Sequence, residues 1–171
     1  AGDSFKADNE ATTATSQALA ATELLPVAPK AEITKDTPAN YMKTASNWYY
    51  SYSNSNDSHE SSGTPTDCTD LTKYIASESF YIGLNSKSGA TEVKNLKIKR
   101  LTLLPANTGI KAVVVSGEKV AVKAGDPVAD TVTKDGVKVE VYYYIDGNDS
   151  NVKTNNIAQL KGTVEIEFTI A

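Results

Sequence analysis

Residues 162–171 read GTVEIEFTIA, with Val164, Ile166, Phe168 and Ile170 at alternate positions and Glu165, Glu167 and Thr169 between them. Side chains leave a strand on alternate faces, so this period of two specifies one dry face and one wet face. Residues 137–145, VKVEVYYYI, place Val137, Val139, Val141, Tyr143 and Ile145 in one phase, and Asp146-Gly147-Asn148-Asp149 then breaks the run with turn-forming residues. Half-buried strands of this kind belong to antiparallel sheets that pack on one face, as in sandwiches and jelly rolls.

Further strands are expected upstream. Residues 74–84 (YIASESFYIGL) and 93–104 have strand character. In the second of these, Leu96 and Ile98 are even while Leu101 and Leu103 are odd, so a β-bulge or a change of sheet is expected near Lys99-Arg100. Residues 110–115 and 119–122 read as two short strands around Ser116-Gly117, and Gly125-Asp126-Pro127 and Lys134-Asp135-Gly136 read as turns. Seven to nine short strands spaced by turn signals make the fold class all-β, an antiparallel β-sandwich or jelly roll over residues 36–171.

Residues 1–35 differ. They are rich in Ala, Thr and Glu, and Pro26 and Pro29 end any helix started at Ser16. Phe5, Leu19, Leu24, Leu25 and Val27 are apolar punctuation in a polar strip. A segment like this orders only when it has a surface on which to bury those side chains, so an extended N-terminal arm is expected.

Catalytic chemistry is hard to assemble here. His59 is the one histidine and lies in a Ser/Asn/Gly-rich loop over residues 54–72, and Cys68 is the one cysteine, read as a partly exposed loop thiol. Zinc lacks a ligand set. Asp146, Asn148 and Ser150 begin a calcium-loop spacing that fails at Asn151 and Ile157. Glu165 and Glu167 share a wet strand face, where acids are ordinary. No enzyme, cofactor or metal is expected. The net charge of −4, with Arg100 as the only arginine, argues against nucleic acid or an anionic membrane as partner. No run of 18 apolar residues spans a membrane. Ala1 at the start is compatible with a processed, exported product, so a secreted or cell-surface location is expected.

Trp48, Tyr50 and Tyr52 fall on one face of an expected strand within residues 40–53, with Tyr49 opposite. Such a row covers a core, meets another subunit or stacks on sugar rings, which makes glycan a possible partner.

The order NWYYSYS, ESFYIGL, VKNLKIKRLTLL, GIKAVVVSG and VKVEVYYYIDGNDSNVKTNNIAQLKGTVEIEFTIA resembles the TasA and camelysin group over roughly residues 48–171. The resemblance implies an exported jelly-roll protein that polymerises into extracellular or biofilm fibres. It implies, too, that an N-terminal segment of one copy completes a sheet in the next, giving a head-to-tail homopolymer. Phe5, Leu19, Leu24, Leu25 and Val27 are the candidate donor residues; an aromatic face of Trp48, Tyr50 and Tyr52 binding carbohydrate is the alternative. Whether residues 162–171 form a sheet edge or an interior strand is open on sequence alone.

Overall fold

The structure, a computed structural model, describes residues 3–5, 12–18, 26–50, 66–84, 91–104, 109–147 and 163–170. Twelve strands lie among them: β1 (Asp3–Phe5), β2 (Thr12–Ala18), β3 (Val27–Pro29), β4 (Trp48–Tyr50), β5 (Thr66–Asp67), β6 (Ile75–Leu84), β7 (Glu92–Leu104), β8 (Ile110–Ser116), β9 (Lys119–Ala121), β10 (Pro127–Thr133), β11 (Val137–Ile145) and β12 (Thr163–Thr169). The chain is all-β, with two short 3-10 turns at Ala39–Lys43 and Ala45–Asn47. No helix among the described residues is long and apolar enough to cross a membrane.

The strands form three sheets, ordered β1-β6-β11-β8-β9, β10-β7-β12-β2 and β3-β4-β5. Every ladder is antiparallel except β1 on β6. Eight strands pair in a nested way: β2 with β12, β6 with β11, β7 with β10 and β8 with β9. The path from β2 to β12 is thus one long hairpin doubled over into two facing sheets, with β3–β5 inserted after its first strand.

Local chemistry sets the connections. Ser116 pairs with Lys119, leaving Gly117-Glu118 as a two-residue hairpin turn, and Gly117 takes φ 56°, a value glycine adopts without steric cost. The expected phase change in β7 is a bulge: Glu167 pairs with Arg100 and Phe168 with Ile98, so Lys99 is the extra residue. The bulge returns Leu101 to the core side that Leu96 and Ile98 occupy.

The first core lies between the two large sheets and includes Ile82, Leu96, Ile98, Val139, Val141, Ile166 and Phe168. Phe80 and Phe168 meet edge-on at 6.0 Å. Burial of such side chains contributes roughly 1.5–3 kcal/mol each before ordering entropy is subtracted.

A second core lies on the opposite face of β8 and β11. Val113, Val115, Tyr142 and Tyr144 pack there against Val27, Met42, Trp48 and Cys68. A single wet face on β11 is therefore not what forms: all five residues from Val141 to Ile145 are buried, alternating between two cores. The third sheet and the 3-10 turns are the cover. In the same region, residues 40–47 form 3-10 turns rather than strand, leaving only Trp48–Tyr50 extended. Pro26 onward belongs to this cover, so the folded domain begins before residue 36: Val27 and Ala28 are buried, and Val27 pairs with Tyr50.

Candidate assembly edges

β12 is interior only because β2 lies beside it. Its other neighbour is β7, and the β12–β2 ladder runs from Thr163 opposite Ala18 to Thr169 opposite Thr12. Without residues 12–18, the second sheet would end on β12, and its main-chain N–H and C=O groups would form an open edge. On β12, Ile166 and Phe168 are fully buried while Glu165 is exposed and Glu167 partly so; the alternation of GTVEIEFTIA is realised over these four residues and ends at Thr169, which is buried. Half-buried Glu167 lies 2.9 Å from the exposed Arg100 guanidinium, beside the bulge.

β2 itself reads TTATSQA. Thr13, Thr15 and Gln17 pair opposite Phe168, Ile166 and Val164, and the alternate positions are Thr12, Ala14, Ser16 and Ala18. Both sets are small or polar. A strand with no large apolar set has weakly specified register and little holding it to one partner.

The first sheet has a second edge at β6. β11 covers one side along Ile75–Ile82, but β1 reaches only Ile82, Gly83 and Leu84 on the other. Glu78 lies opposite the core residue Val141 and is exposed, so an acidic side chain sits on the core-side face where no other described strand pairs with β6. An inward-directed charge on an edge strand opposes unwanted pairing. Burial raises the Tyr143 phenol's pKa, and Glu78 adds to the rise.

The expected donor residues separate. Phe5 ends β1, in register with Leu84. Leu19, Leu24 and Leu25 lie outside the described residues. Val27 is wholly buried in the second core, so it is a fixed part of the domain.

The aromatic row separates as well. Trp48 is 0% exposed, edge-on to Tyr144 at 5.0 Å and to Tyr41 at 5.8 Å, and its indole N–H donates to the Tyr41 carbonyl at 3.2 Å. No face of that ring is open to a sugar. Tyr50 is half-buried against Tyr74 at 5.0 Å, and its hydroxyl accepts from the Thr69 N–H at 3.0 Å. Tyr52 and His59 lie outside the described residues. Lys30 ties the third sheet together, 2.9 Å from the Asp67 carboxylate and 4.8 Å over the Tyr49 ring; the hydrogen bond to Asp67 raises its pKa.

Cys68 is buried rather than partly exposed, and its N–H donates to the Trp48 carbonyl at 2.8 Å. Burial pushes its thiol up to about 11. A thiol held protonated in an apolar setting is chemically quiet. Of the calcium-like spacing, only Asp146 is described, and no group of three or more metal-binding side chains occurs among the described residues. Tyr142 donates to Glu140 at 2.8 Å, and Lys43 lies 3.8 Å from the same carboxylate oxygen, which links the first 3-10 turn to β11.

The buried cover over β8 and β11 was not foreseen from sequence. Its signal was present in the bare run of Tyr142-Tyr143-Tyr144, where residues of both phases are large enough to bury. No known protein family, curated protein or solved structure matches the chain.

Proposed function

We propose that the protein is a structural subunit of an extracellular filament or biofilm-matrix fibre, polymerising by exchange of its N-terminal strand. The observation that carries this reading is the pairing of β2, a strand of small and polar residues, against β12. The seven residue pairs seen within the chain are equally available to the β2 of another copy. Exchange in trans therefore keeps the bonds of the closed form, and a head-to-tail exchange that does not close on itself grows a fibre. The nested pairing of β2 with β12, β6 with β11, β7 with β10 and β8 with β9 is the order of an eight-stranded jelly roll, which supports the finer reading of the fold. In that order β2 is the first strand, and the remaining seven form a sandwich with one edge incomplete.

Deletion tests this. Removal of residues 1–25 spares Val27 and leaves a folded domain that forms no fibres under negative-stain microscopy. Fibres from the truncated protein would overturn the reading. Carbohydrate binding through the Trp48 row loses support from the burial of Trp48.

A further inference from the structure

A cavity of about 340 Å³ opens where the third sheet meets the ends of β8 and β11. Pro29, Ile33 and Val122 supply apolar wall; Glu32 and Lys111 lie at its exposed side. Tyr144 lines it from within and is only 5% exposed. The Tyr144 ring is fixed edge-on against Trp48, yet among the described residues its hydroxyl has no hydrogen-bond partner. A buried phenol normally finds a partner, and leaving one unmade forfeits the hydration it lost on burial. Among the described residues the Glu32 carboxylate, at the mouth, likewise has no ion-pair or hydrogen-bond partner.

We propose that this cavity binds one pyranose-sized polyol, with the Tyr144 hydroxyl and the Glu32 carboxylate as its polar contacts. The volume decides the size class. At about 340 Å³ it lies at the small end of ligand pockets, which run from roughly 300 Å³ upward, and exceeds the share of a single water, about 30 Å³, several-fold. The wall chemistry decides the ligand class. A polyol ring offers C–H faces to Pro29, Ile33 and Val122, and its hydroxyls both donate to a carboxylate and satisfy a phenol. An anionic ligand would meet two carboxylates, Glu32 and Asp146, against the single amine of Lys111 in the same lining. Neither Trp48 nor Tyr50 lines the cavity, and the site is independent of strand exchange.

Trp48 is the only tryptophan in the chain and touches Tyr144, so its fluorescence reports on the cavity. Titration of the full chain with free hexoses and N-acetylhexosamines should give saturable changes in Trp48 emission for at least one sugar. Tyr144→Phe keeps the ring and removes only the hydroxyl, and should weaken that sugar about three- to tenfold, the worth of one hydrogen bond, without lowering the unfolding midpoint. Glu32→Gln should weaken it to a similar degree. Because Glu32 is exposed, that variant tests the site even if Tyr144→Phe perturbs packing. No saturable response to any sugar at tens of millimolar, binding unchanged in both variants, or a crystal grown with the sugar showing only water at Tyr144 would each overturn the proposal.

Discussion

Thr15 stands opposite Ile166 across the ladder that joins β2 to β12. Ile166 is a core residue of a strand with strict alternation, while Thr15 belongs to a strand whose alternate sets are both small or polar. The ladder therefore joins a strongly specified strand to a weakly specified one, and this asymmetry makes β2 the exchangeable partner.

Strengthening β2 should slow exchange. Thr13→Val with Thr15→Val places β-branched apolar residues opposite Phe168 and Ile166, adding roughly 0.2–1 kcal/mol per cross-strand pair. The closed monomer gains stability, and the lag before light scattering rises should lengthen. Unchanged or faster assembly would contradict a register-limited exchange.

The boundary between exchangeable segment and domain lies before Val27. Val27→Ala should destabilise the monomer by about 2 kcal/mol, because it opens a void beside Trp48 and Met42 in the second core. Deletion of residues 1–30 should lower the thermal midpoint well below that of the 1–25 deletion. Equal midpoints would show that Val27 contributes nothing to the fold.

Cys68 should resist thiol reagents at neutral pH until the chain is unfolded. Only thiolate reacts, and a thiol at about 11 is ionised in roughly one part in ten thousand at pH 7. The same shift fixes a sign in the pH dependence of stability. The folded thiol holds its proton more tightly than the unfolded one, so between about 9 and about 11 the unfolded chain has lost protons that the folded chain retains. Stability is then lost as pH rises through that window. Raised phenols at Tyr142 and Tyr144, driven first by burial, push in the same direction at higher pH. Urea midpoints measured at pH 8, 9, 10 and 11 should fall steadily; a flat profile would contradict the burial of these groups.

Much of the sandwich was legible because its signals are local. The alternation of Ile166 and Phe168 with Glu165 and Glu167 marks β12, and the switch from Ile98 to Leu101 marks the bulge at Lys99. The second core was not legible in that way. Val27, Met42, Trp48 and Cys68 lie on separate loops and short strands, and no periodicity joins them. Tyr142 and Tyr144 sit at positions that alternation assigns to water, and the amphipathic character of tyrosine suits either environment. The arm was visible as a break in composition, but the partner of TTATSQA was not, because a strand without an apolar set carries no register in its sequence.

Strand exchange is tested most directly by cross-linking across the register. Ser16 pairs with Glu165, and directly opposed residues of an antiparallel ladder lie at Cα separations that a disulfide spans. Ser16→Cys and Glu165→Cys are made in separate copies, mixed, assembled and oxidised. The expected result is a disulfide-linked heterodimer that appears only in the assembled fraction. If the mixed polymer yields no such link, while a chain carrying both cysteines cross-links internally within the same fibres, β2 stays on its own β12 and assembly does not proceed by strand exchange.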